Sequence, residues 1–295
     1  MINIAHVIQP VVVDSSSDLT VAQPITFETM RIARQFATGK VHVVQFFTKY
    51  HDEDPLISEG IEKIPDLTRS VRDVAGFQGN RKLSLIKDIL DRLYEATNAD
   101  YMIYTNVDIA LMPFFYIVVN WIIEEGYDAF IINRRTISKT LKRVEDIPLM
   151  YSQVGEKHKG YDCFVFKRSA YPKYQLGNTC IGSGKVGAVL AVNLIYNAKK
   201  FKVFTDLHAT FHIGNDKIWK SPHLNEYFLH NENELKKVMQ HYDVLQNPLD
   251  NPIIEKLVDQ YGPQSMKRKI KRGFIKLGKK AKKIASVFRS KIADR

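Results

Sequence analysis

Tyr101–Met102–Ile103–Tyr104–Thr105–Asn106–Val107–Asp108 is the stretch on which the fold turns. Its first five residues are apolar, aromatic or β-branched, the composition of a short buried strand. The strand runs directly into an Asn-x-Asp turn, and the apolar run Ile109, Ala110, Leu111, Met112 follows. In open α/β sheets, ligands bind outside the carboxyl ends of the strands, where loop backbone and side chains converge. A carboxylate there, with no cation beside it in sequence, suits a hard divalent metal bridging diphosphate oxygens. The same two side chains would equally build an Asx-turn that does no more than close a strand.

Outward from this stretch, strand and helix patterns alternate. Further strands are expected at Asn3–Gln9, Val41–Thr48 and Asp128–Asn133. Ile25–Phe36 and Pro113–Glu125 read as helices. Arg81–Thr97 is the strongest helical pattern: Ile86, Ile89, Leu90 and Leu93 recur at i, i+3, i+4 and i+7, with Asn80 as N-cap. Residues 51–80 show no period and are expected as a long charged excursion. Later come strands at Asp162–Lys167, Phe201–Phe204 and Leu207–His212, and helices at Gly184–Asn197, His223–Tyr242 and Asn247–Gly262. This alternation predicts an α/β fold with a mainly parallel sheet flanked by helices, in one domain spanning residues 1–263.

The charge is distributed unevenly. The 295 residues carry 43 Lys+Arg and 32 Asp+Glu, a net of +11. Residues 264–295 hold 13 of those cations and a single acid, Asp294, which leaves 30 basic and 31 acidic groups in residues 1–263. A nearly neutral body with a cationic tail argues against a nucleic-acid-binding domain, and no nucleic-acid partner is expected. Cys163 and Cys180 are too few for a disulfide framework or a zinc site and read as reduced, buried thiols. Ile2–Val13 lacks the basic start and cleavage site of a secretion signal, and Ile109–Ile123 is too short to span a bilayer. The expected location of the body is therefore cytoplasmic.

Several segments together resemble GT-A-type glycosyltransferases, enzymes of bacterial polysaccharide synthesis that use nucleotide-diphosphate sugars. They are the N-terminal strand Ile4–Pro10, Arg81–Lys82–Leu83, the Tyr104–Asp108 turn, and Gly160–Tyr161–Asp162–Cys163–Phe164–Val165–Phe166–Lys167–Arg168 with the later Ile181–Gly182 step. The resemblance covers most of residues 1–220. It implies a GT-A-like Rossmann-type sheet and Mn2+ or Mg2+ as cofactor. It also implies a nucleotide-sugar donor contacted by Gln9, Arg81, Thr105 and Asn106, and a glycan or lipid-linked acceptor. Two departures stand out. Asn106 replaces the first carboxylate of the usual Asp-x-Asp turn, and Ser183–Gly184–Lys185 stands where many relatives have a Trp-Asp pair.

Asp108 would then need a further metal ligand. In Leu207–Ile213, Leu207, Ala209 and Phe211 alternate with His208, Thr210 and His212, so a regular strand places both histidines on one face. Four strand residues span roughly 13 Å, too far for both to hold one ion. His212 is the metal candidate and matches the C-terminal histidine many GT-A-type enzymes use. His208 is left as a substrate donor or a hydrogen-bonded surface histidine. Arg81 and Lys82 are expected to open a helix, where cations oppose the helix dipole unless an anion is near. Arg134 and Arg135, after a strand, are either site cations or ordinary surface charge. For the base that takes the acceptor's proton, Asp162 leads because it starts an apolar strand after the Gly155–Gly160 loop. Asp216 in the Gly-Asn-Asp turn is second, and the Glu145–Asp146 pair third.

In the tail, Ile270, Phe274, Leu277, Ala281, Ile284, Phe288 and Ile292 recur at helical spacing with lysines around them. Such a cationic amphipathic helix suits the anionic inner face of a membrane. Two functions follow as expectations. One is a metal-dependent glycosyltransferase held peripherally at the membrane by residues 264–295. The other, kept alive by Asn106 and the missing Trp-Asp pair, is a catalytically silent nucleotide-sugar-fold scaffold at the same surface.

Overall fold

A computed structural model describes residues 1–214 and 224–263 of the chain. Two compact units partition the chain, Met1–Val238 and one beginning at Met239. The first opens with β1 (Asn3–Ile8), α1 (Leu19–Ala37), β2 (His42–Phe47), β3 (Glu62–Lys63), α2 (Ile86–Ala96), β4 (Tyr101–Thr105), β5 (Ala110–Leu111) and α3 (Phe115–Glu124). It continues through β6 (Ala129–Ile132), β7 (Arg135–Ile137), α4 (Ile147–Tyr151), β8 (Glu156–Lys157), β9 (Cys163–Lys167), α5 (Val186–Asn197), β10 (Phe201–Phe204) and β11 (Thr210–Ile213). Helix α6 (Asn225–His241) starts in the first unit, and α7 (Pro252–Tyr261) belongs to the second. Asn251 caps α7 by accepting from the Ile253 N–H, and Pro252 fills its first turn.

The main sheet has seven strands in the order β10-β6-β9-β4-β1-β2-β3. All pairings are parallel except those of β9, which is antiparallel to both β4 and β6. The inner strands are buried on both faces, which is why they read as continuous apolar runs. One face packs against α1 and α3 through Ile4, Ile8, Ile103, Phe130, Ile132 and Val165. A second, four-stranded sheet runs β5-β11-β7-β8. It is reached directly from the main sheet, since β7 begins three residues after β6. Cys163 and Cys180 are both free and buried. Among the described residues, no helix is long and apolar enough to cross a membrane.

Most strands fall where the sequence puts them, and Tyr101–Thr105 and Phe201–Phe204 match residue for residue. Three expectations fail. Helix α2 starts at Ile86, not Arg81, because the residues before it are held extended. The Val71 N–H bonds the Leu83 carbonyl, the Ile181 N–H bonds the Ser84 carbonyl, and Leu85 bridges Cys180. Lys82 is therefore no first-turn cation: it pairs with Asp52 at 2.5 Å and lies 3.9 Å over the Tyr50 ring. The excursion at 51–80 is not featureless. It contributes β3 and a 3-10 turn at Val71–Asp73, whose N-cap Ser70 and Asp73 satisfy each other's backbone. Finally, His208 has φ +49, so β11 starts only at Thr210 and the expected His208–His212 face does not exist.

Candidate active site

The parallel strands β1, β4 and β6 end on the same edge of the main sheet, and antiparallel β9 begins there. Register fixes the neighbours: Cys163 lies opposite Thr105 on one side and Ile132 on the other. Asn106, which follows β4, Asn133 and Arg134, which follow β6, and Asp162, which precedes β9, are therefore brought together by strand pairing alone. Topology adds the second sheet, where Thr136 of β7 lies opposite His212 of β11.

Asp108 and His212 meet directly. The His212 Nε2 is 3.1 Å from Asp108 Oδ2, and its Nδ1 is 2.7 Å from the Gly214 carbonyl. A carbonyl only accepts, so Nδ1 donates to it, which leaves Nε2 facing the Asp108 carboxylate. Metal-binding histidines are oriented in the same way, with the other ring nitrogen donating to a backbone carbonyl. The second oxygen, Asp108 Oδ1, is buried and has no hydrogen-bond partner. An imidazole nitrogen and a carboxylate with one oxygen orphaned fit a divalent cation such as Mn2+ or Mg2+. Burial pushes the Asp108 carboxyl up, but the hydrogen bond and charge of His212, with Arg134, outweigh it and hold it below the ordinary value. Among the described residues, no group of three His, Cys, Asp or Glu side chains forms around one point.

Asp162 lies beside this pair. Its Oδ1 is 3.3 Å from Arg134 Nη1 and 3.5 Å from Asn106 Nδ2, while Oδ2 is buried without a partner. Burial pushes its carboxyl up; Arg134 opposes that rise and the charge of Asp108 adds to it. Asn106 is further fixed by the Tyr104 hydroxyl, which donates to its Oδ1 at 3.0 Å. Arg134 itself is 9% exposed, and its Nε has no partner.

The remaining candidates divide. Gln9, just beyond β1, is buried, donates to the Pro10 carbonyl at 2.8 Å and keeps an unpartnered Oε1. Thr105 is fully buried, and its hydroxyl meets His6 Nε2 at 2.9 Å, so its side chain is held inside the sheet. Arg81 is exposed. Its backbone bonds the Tyr227 hydroxyl, and its charge acts on Asp14 in the loop after β1. Asp216 falls outside the described residues. Asp146 serves as a local cap, accepting from the backbone of Lys142 and Arg143. Arg135 turns away from Arg134's position and donates to the Val154 and Gly155 carbonyls.

His158 is a member that the sequence did not suggest. Its N–H bonds the Arg134 carbonyl, and its carbonyl accepts from Asn133 Nδ2 at 3.0 Å. Its ring lies over Gly160, where a Cβ would collide with it. Burial, then the charges of Arg134 and His212, hold its imidazole down to about 4. The Lys-His-Lys-Gly context of His158 reads as solvated loop, and its place is revealed by backbone bonding that continues the β7–β8 pairing.

This arrangement of sheet and edge has counterparts among solved structures. The chain is similar to residues 1–349 of S. aureus TarS in complex with UDP-GlcNAc, with TM-score 0.51 and 8% identity, over 88% of this chain and 71% of that one. The fold is GT-A-like. It is also similar to the glucosyl-3-phosphoglycerate synthase of Mycobacterium tuberculosis in complex with Mn2+, UDP-glucose and phosphoglyceric acid. There the TM-score is 0.41 at 12% identity, over 82% of this chain and 80% of that one. No family model and no curated protein sequence matches the chain. The likeness is thus one of GT-A architecture, in which the Asn106–Asp108 turn lies at the carboxyl edge of β4.

Proposed function

We propose that the protein is a glycosyltransferase that moves a sugar from a nucleotide-diphosphate donor to a glycan or lipid-linked acceptor. The observation that carries this is the Asp108–His212 pair, with its orphaned Oδ1, at the ligand-binding edge of a GT-A-like sheet. The structural neighbour TarS is a UDP-GlcNAc complex, which makes UDP-sugars the first donors to test.

Asp108 and His212 would hold Mn2+ or Mg2+, which when bound neutralises charge on the leaving diphosphate. Gln9 and Asn106 follow the carboxyl ends of the neighbouring strands β1 and β4, the place for the donor. Arg134 supplies a fixed buried cation beside the reacting centre. Asp162 is the base: Arg134 holds Oδ1, and Oδ2 is left to accept the acceptor hydroxyl's proton. The acceptor oxygen then bonds the anomeric carbon as the bond to the diphosphate oxygen breaks. Its raised pKa suits a carboxylate to that task better than an exposed one. Residues 264–295, outside the described residues, would hold the protein at an anionic membrane by their cationic amphipathic pattern.

The test is nucleotide release from a panel of UDP- and GDP-sugars with Mn2+ or Mg2+. Metal-dependent release by the native protein that falls at least about 100-fold in Asp108→Ala is expected. Absence of donor turnover, with nucleotide-sugar binding retained, would instead favour the silent scaffold.

A further inference from the structure

The second sheet carries a feature that donor chemistry leaves unused. Residues 134–160 contain seven cations (Arg134, Arg135, Lys139, Lys142, Arg143, Lys157 and Lys159) against three acids, Glu145, Asp146 and Glu156. With 30 basic and 31 acidic groups in residues 1–263 as a whole, everything outside this segment is net acidic, with 23 cations against 28 acids. The cations are gathered by the fold. Arg135 of β7 lies directly opposite Lys157 of β8, a like-charge pairing that opposes sheet formation unless something offsets it. Arg135 donates to the neutral Val154 and Gly155 carbonyls, and its charge also acts on Asp206. Lys157 is partly offset by Asp206, and Arg143 by Asp146. Lys142 and Lys159 are exposed and have no ion-pair partner among the described residues.

This cationic rim adjoins the active site. Lys139 lays its aliphatic stem across Gly214, the residue whose carbonyl orients His212; a Cβ at Gly214 would collide with that stem. Lys157 and Lys159 flank His158, and Arg135 follows Arg134. Burial together with nearby arginines pushes down both imidazoles on this side, His158 beside Arg134 and His208 beside Arg135. The rim belongs to the second sheet, whereas Gln9 and Asn106 follow strands β1 and β4 of the main sheet.

We propose that this rim, formed by Arg135, Lys139, Lys142, Arg143, Lys157 and Lys159, binds the acceptor, and that the acceptor is an anionic saccharide, its negative charge carried by groups such as phosphate esters. This rests on the glycosyl-transfer reading for the word acceptor, whereas the binding surface stands on the charge placement alone. Exposed cations at a site mouth raise the local concentration of an anionic substrate and select against neutral ones.

The experiment compares full-length protein with its Lys142→Glu/Lys159→Glu variant, so that the cationic tail is the same in both. The probes are a fluorescent phosphorylated dextran oligosaccharide and the same oligosaccharide without phosphate, measured by anisotropy at low salt. The proposal expects the phosphorylated probe to bind the native protein and to bind the variant about tenfold more weakly, with the difference shrinking as salt rises. The neutral probe should bind weakly and equally to both. Equal affinity of the two proteins for the phosphorylated probe, or equal affinity of the native protein for both probes, overturns it. Both side chains are exposed, so the variant should melt like the native protein. UDP-sugar hydrolysis is measured in parallel. It should be unchanged in the variant; if neither protein hydrolyses donor while the binding contrast holds, the transferase reading fails and the anionic site remains.

Discussion

Buried beneath the Asn106–Asp108 turn, His6 joins three elements. Its Nδ1 meets the Tyr116 hydroxyl of α3 at 2.8 Å and its Nε2 the Thr105 hydroxyl of β4 at 2.9 Å, while Gln45 of β2 donates to the same tyrosine. The ring is fully buried among apolar neighbours, and burial drops its pKa from 6.5 to about 3. A histidine that stays neutral when folded but protonates when unfolded contributes stability in full above pH 6.5. That contribution is lost as pH falls toward 3. We expect stability to decline between pH 6.5 and 4 by on the order of a few kcal/mol through this group. His6→Gln, which keeps the capacity for two hydrogen bonds, should flatten that decline in melting temperature. An unchanged pH slope would remove His6 as its cause. At this scale the sequence pointed to Asn106, Asp108, Asp162 and His212, because each adjoins a strand run whose end can be read from periodicity. It did not single out His158, which is brought beside Arg134 only by backbone bonding that continues the β7–β8 pairing.

Among the elements, α6 shows how the irregular half of the molecule is fixed. Asn231 is fully buried; its Oδ1 accepts from the Cys180 N–H at 2.9 Å, and its Nδ2 donates to the Cys180 and Gly184 carbonyls. Glu234, one turn on, accepts from the Asn178 N–H at 2.8 Å. These side chains pin residues 178–184, which in turn hold Ser84 and Leu85 extended and delay the start of α2 to Ile86. Asn231→Ala strands three backbone groups in a dry interior and should cost about 3 kcal/mol in chemical denaturation. A loss below about 1 kcal/mol would mean water replaces the side chain. Here lies the reason the Arg81–Ile86 expectation failed. The i, i+3, i+4 pattern of Ile86–Leu93 was sound, but local capping signals at Asn80 lost to backbone bonds with a segment some hundred residues away. His208 failed for a related reason, since alternation presumes extended φ and this residue adopts the left-handed region.

For the whole molecule, charge placement separates three tasks. The body is nearly neutral in sum, the rim of the second sheet is cationic, and all of the excess positive charge lies in residues 264–295. Liposome flotation tests the tail: full-length protein should float with anionic vesicles and residues 1–263 should not. Equal flotation would contradict membrane attachment by the tail. Composition and periodicity were enough for the α/β class, the mainly parallel sheet and the neutral body. Strand order, the antiparallel β9 and the second sheet were not readable, because they depend on which strands pair across long loops.

On the proposed function, Asp108 and His212 together would hold a divalent ion that carries a nucleotide diphosphate. Electron paramagnetic resonance of Mn2+ with UDP present measures this directly. Bound Mn2+ should appear in the native protein and weaken by roughly 10–100-fold or more in Asp108→Ala and in His212→Ala. Mn2+ uptake that is equal in all three proteins would contradict it.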